Sequence, residues 1–361
     1  MKRTWFRVPF TLLSNGSSSR LGATFSVLAR FLTLAVGSVA QASLLGTAGQ
    51  YNEFILGNST RWSVDSHGKV AVGGNANFTG GFTVASQQPT NTTNLVVGGT
   101  LNANGASVRG NIVTGGNATY TNPTVYGNFS SNGSLTLGSG GTVNGSVNYA
   151  TSYAANGTTV SGTASGGVSK PLPVDFAAEG AYLSALSAAQ VDALDPTPTF
   201  QWSQLFITAG AGANYYNMTG AQIASSTGGF NINAPAGSTV VLNVAGSGFT
   251  IPNTGFNLSG GIGLSGILWN FYEATSLTIA GSANGSFLAP HAAISTTYGA
   301  FNGNLIAAAL TGTIETHTVY NGTPTFFDGE LRPPVPEPTS LGMLLVGAIG
   351  GVGFLRRRRA A

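Results

Sequence analysis

One short phrase recurs through the first half of this chain, and it restricts the fold more than any other feature. It reads apolar, any residue, Gly, then Asn, Ser or Thr, then apolar. It occurs as Val108-Arg-Gly-Asn-Ile112, Val125-Tyr-Gly-Asn-Phe129, Val143-Asn-Gly-Ser-Val147 and Val160-Ser-Gly-Thr-Ala164. Its glycines, Gly110, Gly127, Gly145 and Gly162, fall at a nearly constant interval, and Gly99, Gly116 and Gly133 form a second set with the same interval. Gly74 looks like an earlier member, displaced by the polar stretch 86–94. A fixed period of this kind marks stacked repeats, in which each unit has no core of its own and gains one from its neighbours. Two interleaved sets suggest two strand-and-turn units per turn of a solenoid, with Gly and Asn at the corners because they tolerate positive φ. Gly266-Ile-Leu-Trp269, Gly285-Ser-Phe-Leu-Ala289 and Gly303-Asn-Leu-Ile-Ala307 continue the rhythm at almost the same interval. The expectation is an all-β parallel β-helix, or β-solenoid, over residues 43–332. A β-sandwich is the alternative.

The rhythm breaks at Pro171-Leu-Pro173. Residues 175–194 are rich in Ala and Leu at near-helical spacing and read as a short helical insertion that packs on or caps the solenoid. Ser187-Ala-Ala-Gln190 reads as a capping box that divides it into two helices.

Charge is scarce: 14 basic and 11 acidic side chains in 361 residues. Nine of the basic ones lie in the first 30 or the last six residues, so the body carries five basic and ten acidic groups, a net −5. The formal pI of 9.2 is therefore a property of the ends. No basic nucleic-acid surface is expected, and the lack of Cys excludes disulfides and thiolate chemistry.

The ends read as addresses. Residues 1–42 have a cationic start, an apolar run over 31–39 and a small-x-small site at Ala40 and Ala42, the pattern of a signal peptide. Residues 333–361 carry Pro336-Glu337-Pro338, an uncharged stretch over 339–355 read as a transmembrane helix, and Arg356, Arg357, Arg358 and Arg359. The arginines are expected on the cytoplasmic side. This order of parts resembles the PEP-CTERM sorting signal. The resemblance implies a Gram-negative bacterium, transient anchoring in the inner membrane, processing by an exosortase, and delivery to the cell surface or extracellular matrix.

Ile267-Leu-Trp-Asn-Phe271, Glu273-Ala-Thr-Ser-Leu-Thr-Ile279, Gly285-Ser-Phe-Leu-Ala-Pro290 and Asn302-Gly-Asn-Leu-Ile-Ala307, with Tyr51-Asn-Glu-Phe54 and Lys69-Val-Ala-Val-Gly-Gly-Asn75, resemble the choice-of-anchor A family. Tyr272 stands where that family usually has Pro. The resemblance implies an adhesive or matrix role and supplies no catalytic residues.

Asp65-Ser-His67 and Glu315-Thr-His317 each place an acid and a His two apart, hence on one side of a strand. Either pair needs a third ligand from elsewhere to hold a metal. The stronger expectation is a surface hydrogen bond, so no metal, cofactor or catalytic residue is assigned. His291 follows Pro290 at a turn. A carbohydrate-active lyase or hydrolase is the alternative function, but the carboxylates are scattered and residues 69–170 contain none. Tyr215, Tyr216, Trp269 and Tyr272 are candidates for stacking on extracellular polysaccharide. Ice binding needs a regular Thr array, which Thr296-Thr297 and Thr311-Gly-Thr313 do not establish. The reading is a secreted, non-enzymatic surface protein with an adhesive or structural role in exopolysaccharide or biofilm.

Overall fold

A computed structural model describes residues 44–334, which belong to one compact unit beginning at Ser43. The signal-peptide residues with Ala40 and Ala42, the sorting motif 336–338, the stretch 339–355 and Arg356–Arg359 lie outside the described residues. Among the described residues, no helix is long and apolar enough to cross a membrane.

The body is a parallel β-solenoid, not a sandwich. Each complete coil has three strands rather than two. Successive coils stack these into three largely parallel faces, the third of them split into a nine-stranded sheet and a separate four-stranded one formed by Thr199–Gln201, Gln204–Thr208, Gly229–Asn233 and Phe256–Ser259. The first sheet has twelve strands: five from the C-terminal half (residues 213–219, 239–245, 267–270, 286–289 and 305–307), then seven from the N-terminal half, from Glu53–Ile55 to Ala164–Gly166. The second runs alongside it from Gly248–Ile251 to Tyr153–Ala154. The third is built of short strands such as Asp65–Ser66, Ser107–Val108 and Thr124–Val125.

Order along the stack differs from order along the chain. The chain enters mid-stack at Glu53–Ile55 and coils to one end at Ala164–Gly166. It then returns along the outside, restarts at the far end, and coils back to the middle. There Leu305–Gly312 pairs in parallel with both Glu53–Ile55 and Ser59–Trp62. The coil at this seam is a composite: Glu315–His317 supplies its third-sheet strand, and residues 53–62 supply the other two.

The helix is part of the return run, which corrects the expectation of an insertion. It is also one helix, α1 (Phe176–Ala189), not two. Asp175 caps it by accepting from the Ala177 and Ala178 amides. Ser187 is not a cap; its hydroxyl bonds the side chain of Asn270, and Gln190 is the C-cap. A true capping box lies elsewhere, at Thr219 and Gln222 of the short α2 (Gly220–Ser225). Leu183 and Leu186 of α1 cover the outer side of the first sheet, where Phe54, Ala71, Leu268, Leu288 and Ile306 are buried. This explains why first-sheet strands are buried on both faces, as in Val70–Val72 and Ile267–Asn270, while second-sheet strands alternate buried and exposed.

Most of the repeated glycines serve close approach rather than positive φ, while Gly110, Gly285 and Gly303 combine the two. A Cβ on Gly99, Gly127, Gly133 or Gly145 would lie 2.5, 2.5, 2.3 and 2.5 Å from the Asn Oδ1 of the preceding coil (Asn75, Asn111, Asn117 and Asn128). Each of those carboxamides accepts a backbone N–H from the next coil: Thr100, Asn128, Ser134 and Ser146. The Gly-Asn phrase is thus a ladder that ties coil to coil. Positive φ recurs coil after coil at the corner between the second and third sheets, on Ser63, Gly80, Gly105, Asn122, Ser139 and Asn156. Because Ser, Gly and Asn vary there, that corner leaves no single-residue period, and the third strand, which supplies the first apolar residue of the phrase (Val108, Val125, Val143 and Val160), is not told apart from its neighbours in the sequence.

Candidate functional site

Side chains of the second sheet alternate inward and outward, so one column of each strand faces solvent. In register, that column runs Thr250, Thr278, Ser295, Thr311, Thr60, Asn77, Asn102, Thr119, Thr136 and Ala154. Nine of the ten are hydroxyl or carboxamide residues, none is charged, and none is buried. Strand stacking sets their repeat at about 4.8 Å. Neighbouring hydroxyls also bond along the column, as between Thr278 and Ser295 at 3.1 Å. The inward neighbours, among them Leu277, Ile294, Leu310, Phe78, Leu101 and Leu135, fill the core and hold the strands in line.

Thr296-Thr297 and Thr311-Gly-Thr313 do not by themselves form an array; the column is a mixed one, six Thr with Ser295, Asn77, Asn102 and Ala154. Thr296 points inward, and Thr311 is one member of a much longer ladder. A signal was available: Asn102, Thr119 and Thr136 recur with the same interval as the glycines, each between two apolar residues. It was obscured because the interval is broken between Asn77 and Asn102 and between Thr250 and Thr278, and because the C-terminal members precede the N-terminal ones in space.

The four aromatic candidates do not form one surface. Trp269 is 4% exposed and belongs to the core. It packs on Phe230, Phe271 and Phe287 and donates from Nε1 to the Asn284 carbonyl. Tyr215 and Tyr216 are consecutive on one strand and so point to opposite faces. Tyr215 lies under the Arg332 guanidinium at 3.8 Å, and Tyr216 packs against the core and donates to the Thr208 carbonyl. Tyr272 is half-buried and lines an open depression with Val191, Asn217, Met218 and Gln222.

The scarce charges are mostly occupied with the seam and the helix. Arg61 is fully buried. It donates to the carbonyls of Gly312 (2.7 Å) and Ile314 and pairs with buried Glu53 at 3.0 Å. Thr316 also donates to Glu53, at 3.0 Å. Asn52 and Asn304 reach across the same junction to the carbonyls of Gly303 and Tyr51, each at 2.8 Å. Glu179 accepts from the Ala48 amide, and Asp195 holds Arg332 bidentately at 2.8 and 2.7 Å.

The Glu315/His317 pair meets His67 at this seam. The strand Glu315–His317 lies against Asp65–Ser66 with Thr316 opposite Ser66, so His67 is the third ligand that the Glu315/His317 pair lacked, and Asp65 is not part of the group. Nε2 of His67 is 3.1 Å and Nε2 of His317 is 3.4 Å from Oε1 of Glu315. The two rings are stacked with centroids 4.3 Å apart. Burial, and then the neighbouring His317, push the His67 pKa below its ordinary value. His291 is exposed and apart from this group.

Two family models match the chain. One, described as "Putative Ice-binding-like adhesive domain", covers residues 44–132 and 119–318. The other, described as the PEP-CTERM protein-sorting motif, covers residues 334–359. No curated protein and no solved structure matches the chain.

Proposed function

The chain belongs to the ice-binding-like adhesive domain family, and from that premise we propose that it adheres through the outward ladder of its second sheet. The adhesive match and the sorting motif together support a secreted, exosortase-sorted surface protein. Within that frame the proposed ligand is a neutral exopolysaccharide of the matrix, and the proposed role is non-enzymatic. The single observation that carries this reading is the uncharged, in-register column from Thr250 to Thr136. A row of hydroxyl and amide groups at one spacing can bond a polymer whose own hydroxyls repeat, and it gains little from a charged one. Tyr272, beside its open depression, is an auxiliary sugar contact in this reading. The choice-of-anchor A resemblance, the division into leader, body and sorting tail, and the sorting roles of residues 336–338 and 356–359 are part of the same proposal.

The test is a glycan and polysaccharide binding panel with the chain from Ser43 to Arg332, alongside Thr119→Lys/Thr136→Lys. Both residues are exposed, so the double variant should keep stability within about 1 kcal/mol. It should nevertheless lose binding to neutral polysaccharide. Absence of binding across the panel, or binding unchanged in the variant, overturns the reading. The same ladder favours a second reading, an ordered water surface as ligand. Thermal hysteresis that disappears in the double variant would select it.

A further inference from the structure

The strongest unassigned cluster is the meeting of His67, Glu315 and His317 at the seam. We propose that these three side chains bind one zinc ion, which staples the last C-terminal strand to the first N-terminal coils.

Three features of the cluster support this. First, the donor set is right: two imidazoles and one carboxylate are a zinc triad, whereas magnesium and calcium take oxygen ligands. Second, the spacing fits. Two ligands bonded to zinc at about 2.0–2.1 Å and a tetrahedral angle lie roughly 3.4 Å apart. The Glu315 oxygen is 3.1 and 3.4 Å from the two Nε2 atoms, and all three ligand atoms lie within 4.8 Å of one another. Third, a hydrogen bond orients the His317 ring toward the centre, while Nδ1 of His67 is buried without a partner. Asn302 donates from Nδ2 to Asn284 Oδ1, which turns its own Oδ1 toward His317 Nδ1 at 3.0 Å. In the tautomer that donates from Nδ1 to Asn302, the Nε2 lone pair of His317 faces a carboxylate oxygen. Two acceptors face each other there, and a cation between them resolves the conflict. An oxygen acceptor on the far nitrogen is also the kind of outer contact that zinc-bound histidines use.

The rings must open from their stack on binding, because two planes 17° apart cannot both aim a lone pair at one point. Glu315 is 42% exposed, which leaves a path for the ion and a fourth position for water. His67 and the strand of His317 are far apart in sequence yet adjacent in space, where the solenoid has no covalent continuity. A chain without cysteine has no disulfide to place there.

The test uses the untagged chain from Ser43 to Pro334, stripped with EDTA and re-equilibrated with zinc at micromolar free concentration. Metal analysis after dialysis should find one zinc per chain. Melting temperature should rise by roughly 5 °C at a hundredfold excess over Kd, with no rise for magnesium or calcium. A cobalt-loaded sample should show visible d–d absorption. His67→Asn, His317→Asn and Glu315→Gln should each weaken zinc binding at least about tenfold. Circular dichroism of the metal-free variants checks that they fold. A folded chain that holds no zinc overturns the proposal. So does zinc binding that all three variants retain, since the ion would then sit elsewhere.

Discussion

Arg61 is the residue on which the seam depends most. A guanidinium is rarely buried without several partners. This one has the carbonyls of Gly312 and Ile314, the carboxylate of Glu53, and the Phe82 ring with its centroid 5.2 Å away. Removing it leaves Glu53 buried with no counter-charge. Arg61→Met should therefore cost about 3–5 kcal/mol, read as a shift in denaturant midpoint. Adding Glu53→Gln to that variant removes the stranded charge and should recover part of the loss. Equal stability of the single and double variants would mean that the pair does not couple. None of this was visible in the sequence, where Arg61 and Glu53 are two scattered charges in a charge-poor chain. Their carbonyl partners lie in the last coil, at the other end of the body's sequence, and only the order of the coils brings them together.

At the scale of the strand and corner, the sequence was more informative. The period of the glycines was legible because coil length is fixed wherever a Gly-Asn corner must meet the corner before it. What was misread was the reason for the glycine. Gly115 and Gly138 separate the two explanations, since neither has positive φ. A Cβ on Gly115 would lie 2.2 Å from the Gly98 carbonyl oxygen, and one on Gly138 meets nothing within 4 Å. Gly115→Ala forces two coils apart and should cost at least about 2 kcal/mol. Gly138→Ala should be neutral or slightly stabilising, because it reduces the freedom of the unfolded chain. Thermal melts of the two variants should therefore move in different directions. If both lose the same stability, backbone freedom rather than coil contact is what these glycines supply. The outward ladder was half legible in the same way. Asn102, Thr119 and Thr136 keep the period of the glycines, but their continuation through Thr60 to Thr311 crosses the seam, and no linear reading joins those two residues.

For the whole molecule, the seam sets how the chain must fold. Its contacts join the first coil of the chain to the last, whereas most coil-to-coil hydrogen bonds elsewhere join a coil to the next one in sequence. Contacts of such long range slow folding, because loop closure is unfavourable before they form. The two chain segments at the seam are nonetheless close: the Asn52 side chain donates to the His317 carbonyl at 3.2 Å. A circular permutant can use that proximity. It would begin at Ser169, run through α1 and the C-terminal coils to His317, pass through a short linker to Tyr51, and end at Gly167. Coils would then follow one another in space as they do in sequence, with only α1 still packing at a distance. The permutant should reach the same β content and refold faster than the natural order in stopped-flow measurements. It also omits residues 44–50 and 318–334, whose Leu45, Ala48, Phe327 and Leu331 help cover the outer side of the first sheet, so its equilibrium stability should be lower. Faster folding combined with lower stability separates the two roles of the seam, a kinetic obstacle and the point where both terminal segments dock. A permutant that refolds no faster would show that closing the seam is not the slow step.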